Sequence, residues 1–193
     1  MSSDNGIEAG ISQEDQQTLL QVARHSIAYT LEHGDQIQLN VEDYPEALRQ
    51  PRATFVTLHL NGELRGCIGT LEAHQPLVLD VAQNAYSAAF SDPRFMPVTA
   101  TEAEQLEIHI SILNPAQEMH FSSQRDLIGQ LRPGVDGLIL QEGPRRGTFL
   151  PSVWEQLPRP EEFLAHLKLK AGLPPDYWSP ELRVWRYTTT SFP

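Results

Sequence analysis

Across 193 residues there is a single cysteine, Cys67. One thiol excludes an intrachain disulfide and fits a reducing compartment. Cys-x-x-Cys and His-Glu-x-x-His are both missing, and the seven histidines are scattered, so no metal centre is expected. There is no Gly-x-x-x-x-Gly-Lys-Ser/Thr, no Gly-x-Gly-x-x-Gly after a strand and no Gly-x-Ser-x-Gly. Phosphate-loop, dinucleotide-fold and nucleophile-elbow chemistry are therefore not announced, and no cofactor is expected. No apolar run approaches the ~20 residues a membrane span needs. The opening Met-Ser-Ser-Asp-Asn-Gly has neither the basic start nor the apolar core of a signal peptide, and a soluble, cytoplasmic protein is expected. Positive charge is short as well. Fourteen Lys and Arg stand against 25 Asp and Glu, a net charge of −11. That disfavours nucleic acid, whose binding needs cations to displace counterions, and anionic membrane surfaces.

What is present is ordinary globular material, 40% hydrophobic and 20% charged, with fifteen prolines that imply loop-rich connections. The chain is organised around residues 55–71. Asn61-Gly62 is a strong hairpin signal, because both central residues of a type I′ turn need φ > 0. A two-residue turn would set Leu60 opposite Glu63, Leu58 opposite Arg65 and Val56 opposite Cys67. Alternation along the strand puts Arg65 and Cys67 on one face, about 6.6 Å apart at two rises of roughly 3.3 Å. Gly66 and Gly69 within that strand predict a bulge or a close backbone or ligand approach. Cys67 is read either as a small buried hydrophobe or as a thiolate favoured by the Arg65 guanidinium. His74 is a possible imidazole partner for it.

The segment 1–11 is polar and expected to be loose, with one domain over 12–193. Ser12 and Asp15 read as N-cap and N3 acid of a helix ending near His33, with Gly34 as its C-terminal stop. His25 and His33 are eight residues apart on it, too far to share a metal. Pro45 and Pro51 bracket a loop or short helical turn. Pro76 opens a second helix whose alanines 82, 85, 88 and 89 imply close packing; it ends before Asp92-Pro93. A helical turn at best covers Glu102–Gln105. Leu106–Leu113 alternates strictly, with Ile108, Ile110 and Ile112 inward and Glu107, His109 and Ser111 on the wetter face. A helix at 125–131, strands at 138–140 and 147–150 around a turn at 141–146, a short helix at 153–157, another helix at 161–171 and a closing strand at 182–187 complete an α+β pattern.

Taken together, Leu64-Arg65-Gly66-Cys67-Ile68-Gly69, Ala89-Phe90-Ser91-Asp92-Pro93-Arg94-Phe95, the strand 106–113, Pro133-Gly134-Val135-Asp136-Gly137-Leu138, Gly147-Thr148-Phe149-Leu150-Pro151 with Val153-Trp154, and Lys170-Ala171-Gly172-Leu173 resemble the AMMECR1 family, block by block and in order, over about residues 50–190. The resemblance implies an α+β fold of two unequal subdomains, antiparallel or mixed sheets flanked by helices, with an intervening cleft near the Arg-Gly-Cys stretch. It supplies no activity. Prokaryotic members are similar to the first component of a three-part system with a Memo-like protein and a radical SAM protein, which implies partners rather than a reaction.

Carried over by position, the motif residues are Arg65, Gly66, Cys67, Gly69, Asp92, Arg94, Thr148 and Lys170. As types they make an anion site: a guanidinium fork, a mobile ammonium and glycine N–H groups. Cys67 and Arg65 are the catalytic candidates, the rest ligand-binding ones. Asp92 would orient Arg94 or cap its loop. The expectations are thus an enzyme acting on a small anionic metabolite through Cys67, or a non-catalytic module docking a partner. A nucleotide or RNA role ranks last on charge.

Overall fold

The computed structural model describes residues 10–193; most of the expected loose segment 1–11 lies outside the described residues. The chain is α+β, as its pattern implied, and divides into two compact units. The first comprises residues up to Ile112 together with Thr190–Pro193, and the second comprises Leu113–Thr189. Each has its own four-stranded sheet and its own apolar core.

The first unit begins with α1 (Gln13–His33), capped by Ser12, whose hydroxyl accepts from the Asp15 N–H, and closed by Gly34 at φ 76°. A short α2 (Glu46–Arg49) leads to the hairpin of β1 (Ala53–Leu60) and β2 (Glu63–Gly69). Asn61 and Gly62 take φ of 53° and 80°, as a type I′ turn requires. Next come α3 (Leu77–Phe90), α4 (Ala100–Ala103) and β3 (Glu107–Leu113). The final strand of the chain, β8 (Thr189–Phe192), lies against β3, giving the order β2-β1-β3-β8. Val56, Leu58, Ile108, Ile110 and Ile112 face the core with Val81, Ala85 and Ala88 of α3.

The hairpin register departs from the even pairing expected of its turn. Leu60 faces Glu63 and His59 faces Leu64, but Leu58 faces Gly66 and Thr57 faces Cys67. The shift at Leu58/His59 leaves Arg65 as the extra residue of a bulge. The reason lies in α3. A Cβ on Gly66 would sit 2.1 Å from the Ala88 carbonyl oxygen, so this position must carry no side chain where the strand meets the helix. Gly69 is covered instead by the Phe55 ring, 2.2 Å from where a Cβ would stand.

The second unit holds β4 (Gln117–Glu118), α5 (Gln124–Gln130), β5 (Gly137–Glu142), β6 (Arg145–Phe149), α6 (Pro160–Lys170) and β7 (Arg183–Tyr187), in the sheet order β4-β7-β5-β6. The strands at 137–142 and 145–149 reach further into the 141–146 segment than its Gly/Pro content implies, because the turn needs only Gly143 and Pro144. Its core packs Trp154 flat on Phe163, ring centroids 3.8 Å apart. Asp136 is fully buried and holds Arg132 by two contacts of 2.9 and 2.6 Å.

Because backbone rather than a movable side chain blocks it, Gly66→Ala should cost about 1–3 kcal/mol of stability, the range for overpacking a filled site. Urea unfolding of the first unit's signal checks this; an unchanged midpoint would show that α3 yields.

Candidate functional site

β2 is an edge strand, and an unpaired edge presents N–H and C=O groups that need partners. At Cys67 those partners come from the loop after α3. The Cys67 N–H donates to Asp92 Oδ2 at 3.0 Å, and Arg94 Nη2 approaches the Cys67 carbonyl oxygen at 3.5 Å. The two loop residues are themselves locked. Arg94 donates from Nε to Asp92 Oδ1 at 3.0 Å, from Nη2 to Oδ2 at 2.7 Å, and from its backbone N to Oδ1 at 3.1 Å. The Asp92 side chain is 2% exposed and that of Arg94 55%. Hydrogen bonds from the Arg94 guanidinium hold the Asp92 carboxyl well below its ordinary range, and Asp92 in turn raises Arg94.

The thiol projects from the face opposite α3. Cys67 Sγ lies 3.2 Å from Thr57 Oγ1, across the strand pair that the bulge creates. Arg65, the extra residue of the bulge, has a side chain only 13% exposed. Its Nε and Nη2 meet Glu102 Oε2 and Oε1 at 2.9 and 3.2 Å. Glu102 comes from the capping box of α4, where Thr99 and Glu102 exchange bonds. The Arg65 bonds, with the Thr99 N–H, bring the Glu102 carboxyl down to about 2. Both guanidiniums stand over one ring: Arg94 at 5.3 Å and Arg65 at 5.8 Å from the Phe95 centroid. Two polar atoms here are buried without a hydrogen-bond partner among the described residues: Arg65 Nη1 and His59 Nδ1. His59 meets His109 edge to face at 5.1 Å.

The eight residues singled out in the sequence fall into two sets. Arg65, Gly66, Cys67, Gly69, Asp92 and Arg94 come together in the first unit, although packing already accounts for both glycines. Thr148 and Lys170 meet each other in the second, where Lys170 Nζ donates to the Thr148 carbonyl oxygen at 2.8 Å and Thr148 Oγ1 donates to Leu138 O at 2.8 Å. His74 does not serve the thiol. Its Nδ1 lies 3.2 Å from Glu72 O and 4.0 Å from the buried Asp80, a carboxylate also held by Thr54, Thr70, Gln75 and Asn84. Three participants went unnoticed in the sequence. Thr99-x-x-Glu102 was a legible capping box. Thr57 is found only through the bulged register, and Phe95, beside Arg94 in the chain, carries no sequence signal for its place against the two guanidiniums.

No group of three or more His, Cys, Asp or Glu among the described residues could hold a metal ion. No helix among them is long and apolar enough to cross a membrane.

An α+β chain with an Arg-Gly-Cys edge strand clamped by an Asp-Pro-Arg loop defines a class, and comparison identifies it. The AMMECR1 family model matches residues 20–192, and the chain belongs to that family. It is 40% identical over 190 residues to a protein of Methanothermobacter thermautotrophicus, covering 95% of this chain and 96% of that one. It is 41% identical over 160 residues to Protein MJ0810 of Methanocaldococcus jannaschii, covering 79% and 78%. The crystal structure of the uncharacterized protein PH0010 from Pyrococcus horikoshii is similar at 34% identity and a TM-score of 0.87, over 94% of this chain and 92% of that one.

The clamp predicts an acid limb. Asp92 and Glu102 titrate lower when folded than when unfolded, so their contribution is complete above about pH 4, the ordinary carboxylate range. It is lost as pH falls from there through about 2, the folded value of Glu102. Asp92→Asn should cost about 1–3 kcal/mol at pH 7 by weakening bonds to a charged acceptor. It should also shrink the loss between pH 5 and 2, as read from urea midpoints across that range.

Proposed function

We propose that this chain binds a small molecule bearing an oxyanion at the thiol face of β2, with Arg65 as donor and Cys67 facing the bound group. The observation that carries this reading is Arg65 Nη1, a buried donor with no acceptor among the described residues. Leaving such a group unpaired costs about 1–3 kcal/mol, which an oxygen of a ligand would recover. Asp92 and Glu102 already neutralise the two guanidiniums. The site is therefore suited to a carboxylate or a phosphate monoester, with about one to two negative charges, rather than a polyphosphate. Phe95 offers a flat apolar surface between the arginines. Thr57 Oγ1 is the side-chain neighbour of the sulfur, and no histidine is hydrogen-bonded to it among the described residues. The arrangement supports binding more directly than nucleophilic turnover. A pathway shared with a Memo-like and a radical SAM protein, implied by the family resemblance, is compatible with a carrier of this kind.

The single thiol makes the test direct. Iodoacetate should alkylate Cys67 roughly fivefold faster, relative to iodoacetamide, than it does free cysteine, equivalent to about 1 kcal/mol of charge attraction. Millimolar inorganic phosphate should slow it. Arg65→Met should remove the preference, with Arg94→Met as the milder variant if the first unfolds. A reagent ratio equal to that of free cysteine, with no protection by phosphate, would overturn the reading.

A further inference from the structure

A groove of about 550 Å³ opens in the first unit between the C-terminal half of α1 and α4, at the start of β3. That is the size of a recess receiving a ligand or several side chains. Its floor is apolar: Ile27 and Ile108 are buried, and Leu31 and Ala103 half-buried. Ala28 is exposed and contributes only a methyl group, which leaves the α1 wall low.

The rim is acidic. Glu32 on α1 and Glu104 just after α4 are both exposed, and neither carboxylate joins an ion pair or hydrogen bond among the described residues. The one basic lining residue, Arg24, is tied to the groove wall, its Nη2 donating to the Leu106 carbonyl oxygen at 3.0 Å, and stands against two carboxylates. The surrounding charge has the same sign. Residues 1–112 and 190–193 hold sixteen Asp and Glu against five Arg, with no Lys, while residues 113–189 hold nine of each. The whole net charge of −11 thus belongs to the unit that carries the groove. Two of its five arginines, Arg65 and Arg94, are already engaged by Glu102 and Asp92. A low-dielectric recess in such a field concentrates cations at its mouth.

We propose that this groove docks a basic amphipathic helix of a partner protein. Its apolar side chains enter between Ile27, Leu31, Ala103 and Ile108, and its Lys or Arg residues meet Glu32 and Glu104. Apolar anchors at helical spacing flanked by basic residues are the complement of an apolar channel with acidic edges. The site is separate from the thiol face, and neither proposal needs the other.

The probe is a synthetic fourteen-residue Leu/Lys amphipathic helix with a fluorescent label, titrated with the full chain at 0.15 M salt. A Leu/Glu peptide of the same pattern and decylammonium serve as comparisons. The Leu/Lys helix should bind and the Leu/Glu helix should not. Ala28→Trp, which fills the groove from an exposed helix position, should weaken binding roughly tenfold, equivalent to about 1.4 kcal/mol. Glu32→Gln and Glu104→Gln, made singly, should each weaken it several-fold, whereas Glu63→Gln, an equal charge change on the hairpin, should leave it alone. Four results would each overturn the proposal: no binding by the folded protein, equal binding of the Leu/Glu helix, equal losses from Glu63→Gln, or insensitivity to Ala28→Trp. Decylammonium binding as tightly as the peptide would also overturn it, by making the groove a small-molecule site.

Discussion

The hold of one buried carboxylate on an edge strand is the contact on which the candidate site depends. Asp92 accepts the Cys67 N–H and also fixes Arg94, which lies against the Cys67 carbonyl. The loop thereby supplies, at Cys67, the rung that a further strand would have provided. The price is a carboxylate drawn almost fully out of water, and it is stable there because donors surround both oxygens. The backbone of Cys67 and the guanidinium of Arg94 take their positions from this clamp, and the Phe95 N–H donates to the Asp92 carbonyl oxygen.

Both units repeat the strategy of a buried aspartate ringed by donors. In the first, Asp80 is fully buried on α3 and gathers Thr54, Thr70, Gln75 and Asn84, joining β1, the end of the hairpin and the helix. In the second, Asp136 takes Arg132, and its carbonyl oxygen accepts from Trp154 Nε1 at 2.7 Å. Such groups are costly when half satisfied and specific when fully satisfied. They fix which loops meet which elements, while the leucines, isoleucines and alanines supply most of the burial.

Much of this was readable before any coordinates. Asn61-Gly62, the Ser12 cap, the Gly34 stop and the alternation of 106–113 depend on local backbone preference and periodicity, and all appear where those rules put them. The register of the hairpin was not readable, because it is decided by a helix twenty residues on whose Ala88 carbonyl admits only glycine at position 66. The same long-range cause hid Thr57 as the neighbour of the thiol. Thr148 and Lys170 looked like members of one anion site with Arg65 because residue type was the only guide; their own partners turn out to lie within the second unit. His74, close to Cys67 in the chain, was drawn instead to Asp80. The short strand at 117–118 and the last strand carry too little pattern to stand out.

The route of the backbone has a consequence for how the molecule is made. The second unit is continuous in the chain, but the first lacks β8 until residues 189–192 have been added, and Phe192 is part of its core. The first unit's sheet therefore stays open beside β3 until the chain has passed through the whole second unit, whose β7 ends two residues before β8 begins. Both sheets are therefore completed by neighbouring stretches, 183–187 and 189–192, which ties the closing of the two units to one short length of chain.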